Sequence, residues 1–117
     1  NHWEANPDLK AAVRRFRRLW RGVPVLVEAK TRWELASALE AGADIVLLDN
    51  MAPRRLEREI AYVRSRSPRT LIEVSGGVRL ENVGRLARLG PARISIGALT
   101  HSAPAMDFSL EIDNKLR

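Results

Sequence analysis

Short apolar runs alternate with amphipathic segments along most of the chain. Four of these runs are predicted to be strands: residues 23–29, 44–49, 70–75 and 92–97. The second run, DIVLLD, has no polar alternation, as expected of a strand covered on both faces. Strand starts 21 to 26 residues apart leave room for one helix in each unit. The pattern therefore predicts an α/β fold of repeated strand–helix units, with parallel strands and right-handed crossovers.

The segment before the first strand and the segment after it carry helix start signals. Asn6 and Pro7 are suited to the cap and the first position of a helix that reaches about residue 21. Thr31 and Glu34 have the spacing of a capping box, in which each side chain satisfies a backbone N–H at a helix start. The helix that follows is predicted to stop at Gly42.

Two further helices and a tail segment are predicted beyond the second strand. Pro53 opens one helix, and the other covers residues 80–90. The apolar face of the first carries Leu56, Ile60 and Val63. Residues 106–112 alternate loosely and are expected to form a short edge strand or a docked segment.

These units fit either an open, doubly wound sheet or part of a barrel. Four strands are half of the eight in a complete (βα)₈ barrel, and half a barrel would leave its interior uncovered. The chain also begins with Asn1 rather than methionine. We therefore expect residues 1–117 to form half of a TIM-like α/β barrel, as a fragment of a longer protein.

Composition narrows the class of protein. With 117 residues, 45% of them apolar, the chain can form one small domain core. No apolar run reaches the ~18 residues of a membrane span, and the first ten residues lack the apolar region of a signal peptide. The absence of cysteine excludes disulfides and thiolate metal sites. A soluble cytoplasmic protein is the expectation.

The formal net charge of +6 comes mostly from arginine and favours anionic partners, such as nucleic acids, phosphorylated small molecules or acidic metabolites. The densest basic run is RRFRRLWR, at 14–21. Val13, Phe16 and Trp20 recur there at helical spacing, which places the arginines on the solvated side of an amphipathic helix. No recognised nucleic-acid module surrounds the run, so a solvated helix face is favoured over a nucleic-acid patch.

In both parallel architectures the functional residues lie at the C-terminal ends of the strands. The predicted strand ends are Glu28, Asp49, the turn of Ser75, Gly76 and Gly77, and the turn of Ile96, Gly97 and Ala98. A carboxylate at such a place loses hydration unless a structural arginine, a helix N-terminus, a metal ion or ligand hydroxyls compensate it. Two carboxylates at the ends of adjacent strands favour ligand binding. Ribose diols or hydrated Mg²⁺ would suit them, with Asp49 as the candidate Mg²⁺ ligand.

The two glycine turns allow two interpretations. Backbone N–H groups in such turns, helped by a helix N-terminus, bind phosphate. Glycine also serves strand-to-helix turns for steric reasons alone. Many barrels build their phosphate site from the loops after strands seven and eight, and these turns would follow the last two strands of a barrel. That position favours phosphate binding.

The chain has two histidines, His2 and His101. His101 follows the second glycine turn and is a candidate ligand contact, although a lone histidine is more often a packed or surface residue. Two histidines without cysteine or an HExxH spacing do not make a zinc site.

Three segments, taken in order, resemble the C-terminal half of the quinolinate phosphoribosyltransferase (nicotinate-nucleotide pyrophosphorylase) family. They are EAGADIVLLDN, IEVSGG followed by LEN, and SIGALTHSAPAMDFSL. The similarity extends from Asn1 to about Ile112, nearly the whole chain. A paralogous family associated with molybdate transport shares much of this pattern.

The resemblance implies a Mg²⁺-dependent reaction in NAD biosynthesis: quinolinate and phosphoribosyl pyrophosphate give nicotinate mononucleotide, pyrophosphate and carbon dioxide. It implies a homodimer whose subunits have an N-terminal domain and the first barrel half before residues 1–117. By position, Glu28 and Asp49 correspond to carboxylates that hold the ribose hydroxyls and the metal–pyrophosphate region. The two glycine turns and His101 correspond to phosphate-binding segments, and His2 to the end of a Lys-Asp-Asn-His motif.

Two positions near Glu28 depart from the family pattern. Leu26 stands where an acidic residue is frequent, and Lys30 where an acidic or polar residue is common; both could alter the local field. The cations that hold the two carboxylates of quinolinate would lie upstream, so the chain alone is expected to be inactive. The alternatives are the paralogue, with another acceptor, and a small basic nucleic-acid-binding module.

Overall fold

The computed structural model describes residues 8–101, apart from the side chain of His101. The strands within this range are β1 (Leu26–Ala29), β2 (Ile45–Asp49), β3 (Leu71–Ser75) and β4 (Arg93–Ile94). The helices are α1 (Leu9–Leu19), α2 (Arg32–Ala41), α3 (Pro53–Arg66), α4 (Leu80–Arg88) and α5 (Ala98–His101). The predicted α/β class of strand–helix repeats is confirmed. The tail at 106–112 lies outside the described residues.

The strands form one parallel sheet in the order β1-β2-β3-β4, so each strand pairs with the next one along the chain. Doubly wound sheets reverse their strand order at a switch point, whereas a (βα)₈ barrel keeps chain order throughout. The observed order therefore matches half of a TIM-like barrel, as predicted.

Alternate residues of the strands face opposite sides of the sheet. Val46 and Leu48 of β2, with Val74 of β3, share one buried core with residues of α2, α3 and α4. The helices therefore cover the same side. The opposite side, here called the inner face, carries Glu28, Leu47, Asp49, Glu73, Ser75 and Arg93, with register pairs that join Glu28, Leu47, Glu73 and Arg93 in one row.

Helix α1 differs from its prediction at its start and on its apolar face. Asp8, rather than Asn6, is the cap, because Asp8 Oδ1 accepts a hydrogen bond from Ala11 N at 2.9 Å. Asn6 and Pro7 lie outside the described residues. Val13 is buried, but Phe16 and Trp20 are exposed, so the predicted apolar stripe is buried at only one of its three positions.

The first and last strands are shorter than predicted. Strand β1 begins at Leu26 because Pro24 has no N–H and the N–H of Val25 bonds to the side chain of Asp44 at 2.8 Å. Strand β4 ends at Ile94, although Ser95 N still donates to Val74 O at 2.9 Å.

The predicted helix boundaries around β2 are confirmed. Thr31 and Glu34 form both hydrogen bonds of a capping box, and Gly42 ends α2 in the left-handed conformation, with φ of 81°. Pro53 is the first residue of α3, whose buried face includes the predicted Leu56, Ile60 and Val63. None of the helices within residues 8–101 is long and apolar enough to cross a membrane.

Candidate functional site at the strand ends

The structure brings the two predicted carboxylates to the same end of the inner face. Glu28 pairs in register with Leu47, and Asp49 lies two residues further along β2. Asp49 in turn pairs with Ser75, the first residue of the glycine turn. The side chain of Glu28 is 51% exposed and that of Asp49 26%, so both can be reached by a ligand.

Lys30 joins these two carboxylates. Its Nζ lies 3.1 Å from Glu28 Oε1 and 3.8 Å from Asp49 Oδ2. The hydrogen bond and charge of Glu28, followed by the charge of Asp49, raise the pKa of Lys30 above its ordinary value. The sequence marked Lys30 only as a departure near Glu28, whereas the fold makes it the third charged member of the site.

The backbone of Lys30 is held on both sides. Its N–H donates to Glu34 Oε2 at 2.6 Å, next to the capping box of α2. Its carbonyl accepts from Arg55 Nη2 of α3, also at 2.6 Å. Arg55 Nε lies 3.9 Å from Oε1 of Glu59, a buried carboxylate that also contacts Arg32. Two helices therefore fix the point from which the Lys30 side chain emerges.

The glycine turn after β3 has a steric explanation. Gly76 has φ of 86°, and a Cβ there would lie 2.7 Å from both Cα and N of Asn50. Asn50 itself has φ of 51°, which is uncommon outside glycine, and its N–H donates to Ser75 O at 2.9 Å. The turns after β2 and β3 are thus in direct backbone contact. Asn50 was not predicted as part of the site.

Asn82 caps the start of α4, whose cap position is occupied by Arg79. Asn82 Oδ1 accepts from Arg79 N at 2.9 Å, and its Nδ2 donates to Gly77 O at 2.8 Å. One side chain therefore anchors both the glycine turn and the helix. At the start of α3, by contrast, Ala52 provides no side-chain hydrogen bond.

A cavity of about 160 Å³ lies beside this turn. Its polar lining includes Asn50, Ser75, Gly77, Asn82 and Arg85. Arg85 forms no ion pair with another of the described residues, so its guanidinium is available to an anion at this place. Nothing in the sequence distinguishes Arg85 from the many other arginines, because its position depends on how α4 packs.

Glu73 is a further charged residue that the sequence did not suggest. Its side chain is buried on the inner face, where Ser95 Oγ donates to Oε1 at 2.6 Å and Arg93 Nη1 lies 3.8 Å from Oε2. This contact ties β3 to the segment that leads into the second glycine turn. Glu73 is not among the predicted strand-end residues because it lies in the middle of its strand.

The second glycine turn leads into α5. The carbonyls of Ile96 and Gly97 accept hydrogen bonds from Leu99 N at 3.2 Å and Thr100 N at 2.9 Å. The Ile96 side chain packs against the core, while Ala98 begins the helix. His101 is the last residue of α5, and its side chain lies outside the described part, as does the whole of His2.

The arrangement fits a metal ion poorly. Carboxylate oxygens suit Mg²⁺, and Glu28 and Asp49 supply them. However, the ammonium of Lys30 already contacts both carboxylates. Among the described residues there is no group of three or more His, Cys, Asp or Glu side chains that could hold a metal ion. The pair as folded is therefore not a preformed cage for a divalent cation.

Residues 1–111 match the model of one protein family, described as quinolinate phosphoribosyl transferase, C-terminal domain. The match covers the sheet, both glycine turns and the two strand-end carboxylates. The chain belongs to this family. Its place among the quinolinate phosphoribosyltransferases confirms the resemblance found in the sequence.

Individual relatives agree with this assignment. The carboxylating nicotinate-nucleotide pyrophosphorylase of Rattus norvegicus is 40% identical over 114 residues, which are 96% of this chain and 38% of that protein. The enzyme of the same name from Homo sapiens is 38% identical, with the same coverage. The crystal structure of NadC from Streptococcus pyogenes superposes with a TM-score of 0.71 and 35% identity, over 95% of this chain and 38% of that one. The chain thus spans 38% of the length of these relatives.

Proposed function

We propose that this chain forms the ribose-phosphate side of the active site of a carboxylating nicotinate-nucleotide pyrophosphorylase. Such an enzyme converts quinolinate and phosphoribosyl pyrophosphate to nicotinate mononucleotide, pyrophosphate and carbon dioxide, in NAD biosynthesis. The observation that carries the proposal is the family match over residues 1–111. The rat and human relatives are named for this carboxylating reaction, which favours it over the molybdate-associated paralogue and over a nucleic-acid module.

In this proposal Glu28 and Asp49 accept hydrogen bonds from the ribose hydroxyls. Both side chains are accessible and lie at the same end of the inner face. Ionised carboxylates form the stronger, charge-assisted type of hydrogen bond with such donors. Two of them on adjacent strands would fix the ribose ring, so that its C1 atom is oriented towards the acceptor nitrogen while the bond to pyrophosphate breaks.

The 5′-phosphate is proposed to bind at the glycine turns. Gly76 and Gly77 precede α4, whose N-terminus carries partial positive charge, and Arg85 adds a full one beside the cavity. The second turn, at Ile96, Gly97 and Ala98, and His101 complete the proposed phosphate site. Mg²⁺ belongs to the proposal only as a cation carried by the pyrophosphate group, because Lys30 already contacts both carboxylates.

We propose that quinolinate, the acceptor of the phosphoribosyl group, binds to cations from elsewhere in the complete protein. On the inner face of the described strands, Arg93 lies against Glu73, and Lys30, just past β1, lies against Glu28 and Asp49. Both cations are therefore engaged, whereas the two carboxylates of quinolinate need unengaged positive charge. We propose that this charge comes from the remainder of a homodimeric, cytoplasmic enzyme, and that the 117 residues alone do not turn over.

An assay of the full-length protein tests the reaction. With quinolinate and phosphoribosyl pyrophosphate, we expect nicotinate mononucleotide to appear, measured by chromatography of the products. Asp49→Ala should lower kcat by about 10²–10³-fold, a typical loss when one preorganised polar contact is removed, with an unchanged circular dichroism spectrum. Glu40→Ala, which removes an exposed carboxylate paired with Lys10, is the control with unchanged turnover. Absence of product from the unmodified protein would refute the reaction, and normal turnover of Asp49→Ala would refute the role of Asp49.

A further inference from the structure

We propose that Lys30 is a built-in cation of the Glu28–Asp49 pair and that it limits the binding of divalent cations there. The side chain thereby replaces part of the charge that a metal ion would supply. The inference concerns the carboxylate pair itself and holds whether or not the proposed reaction is correct.

The first argument is the geometry of the three charges. Lys30 Nζ is within 3.1 Å of Glu28 Oε1 and 3.8 Å of Asp49 Oδ2. Two carboxylates alone would present a charge of −2, whereas the three side chains together present −1. A divalent cation at the pair would have to displace the ammonium or lie within a few Å of it, where like charges repel.

The second argument is that the backbone of Lys30 is held in position by hydrogen bonds. Its N–H is bonded to Glu34 and its carbonyl to Arg55, both at 2.6 Å, so α2 and α3 hold its backbone from opposite sides. Because the backbone is already ordered, the ion pairs cost only the rotamer freedom of the side chain. The other described lysine, Lys10, also forms an ion pair, with Glu40 at 3.0 Å, but it contacts a single carboxylate on the helical surface.

The expected effect is moderate because the side chain of Lys30 is 63% exposed. Water and salt screen charges at such a position. We expect removal of the ammonium to tighten divalent cation binding about tenfold. With the lysine present, a polyanionic substrate such as phosphoribosyl pyrophosphate meets less repulsion from the two carboxylates, even before any metal ion is bound.

The test uses Mn²⁺ as the probe, because free Mn²⁺ is measured directly by electron paramagnetic resonance, without turnover. The full-length protein, Lys30→Gln and Lys10→Gln are titrated in the absence of substrates. We expect Lys30→Gln to bind Mn²⁺ about tenfold more tightly at one site, and Lys10→Gln, which removes the same charge elsewhere, to match the unmodified protein. Adding Asp49→Asn to Lys30→Gln should abolish the gain, which locates the site at the pair.

Lys30→Arg separates charge from shape, since it keeps a positive group at the same place. We expect it to bind Mn²⁺ as weakly as the unmodified protein. Equal Mn²⁺ affinity of Lys30→Gln and the unmodified protein would overturn the inference, as would tight binding by Lys30→Arg. Circular dichroism of each variant verifies that it is folded before titration.

Discussion

Gly76 is required by the fold itself, whether or not a ligand binds. Its backbone runs so close to Asn50 that no Cβ fits, and its φ of 86° is itself unfavourable for a residue with a side chain. The glycine turn therefore has a complete steric explanation. A phosphate bound at this turn would use backbone N–H groups of residues whose identity the steric requirement already fixes.

This explanation predicts the effect of Gly76→Ala. The added Cβ would lie 2.7 Å from the Asn50 backbone, and we expect the free energy of unfolding of the full-length protein to fall by at least about 2 kcal/mol. Gly42→Ala is the matched control, because Gly42 has nearly the same φ, 81°, and a Cβ added there would meet nothing within 4 Å. Denaturant unfolding measures both, and equal losses in the two variants would contradict the proposed clash.

Residues that end a strand could be predicted from the sequence, since parallel topology alone places them. Glu28, Asp49 and Ser75 do meet at one end of the sheet. Lys30 and Asn50 each lie one position past a strand, where the path of the turn decides the direction of the side chain. Nothing local encodes that path: it depends on distant partners such as Arg55, 25 residues further along the chain.

At the scale of elements, Asp44 connects α1, β1 and β2. Its carboxylate accepts hydrogen bonds from Val25 N at 2.8 Å and from Arg17 Nη2 at 2.9 Å, and Arg17 also donates to Gly42 O at 2.7 Å. The N–H of Val25 first, and the Arg17 guanidinium second, hold the pKa of Asp44 below its ordinary value. Arg17 is thus a structural residue within a helix face predicted to be solvated.

A pH dependence of stability follows from this connection. Because the folded state lowers the pKa of Asp44, its contribution is complete above about pH 4, the ordinary carboxyl pKa, and is lost as pH falls through the lowered value. Asp44→Asn should cost about 1 kcal/mol at pH 7, since the pair is partly exposed, and should flatten the stability curve in acid.

Urea unfolding of the full-length protein between pH 2 and about pH 7 measures this difference. Glu40→Gln, which disrupts the exposed pair with Lys10, is the control and should change little. Curves of Asp44→Asn and the unmodified protein that run parallel over the whole range would disprove the contribution of Asp44.

Element types were predictable because each carries a local signal: apolar runs for strands, a capping box for α2, proline for α3. The residues at which the elements begin and end were less predictable. Strand β1 begins later than predicted because Val25 N bonds to the side chain of Asp44, 19 residues away. No local sequence pattern reveals such a partner. In the same way, Val13 of α1 is buried while Trp20 is exposed, since burial depends on what the helix packs against.

At the scale of the whole molecule, part of the arginine content behind the net charge of +6 has a structural role. Several arginines are engaged within the fold. Arg17 binds Asp44, Arg32 binds Glu59, Arg64 donates to Leu89 O and Gly90 O, and Arg93 lies against Glu73. These arginines have structural roles, and the chain matches the quinolinate phosphoribosyl transferase family over residues 1–111, so a nucleic-acid module is not the favoured interpretation.

We therefore expect the full-length protein to bind phosphoribosyl pyrophosphate but not DNA or RNA tightly. Calorimetric titration measures the first, and gel-shift titration at two salt concentrations the second, because nucleic-acid binding through phosphates weakens steeply with salt. Tight, salt-sensitive nucleic-acid binding without phosphoribosyl pyrophosphate binding would instead support the basic module.

The contact between Asn50 and Gly76 also limits how these sequences can diverge. A larger residue at 76 can be accommodated only if the backbone at 50 moves, and that movement would displace Asp49, the residue just before it. Mutations at the two positions are therefore expected to arise together in descent. The turn after β2 and the glycine turn, whose contacting residues are 26 positions apart, are therefore expected to diverge as one unit.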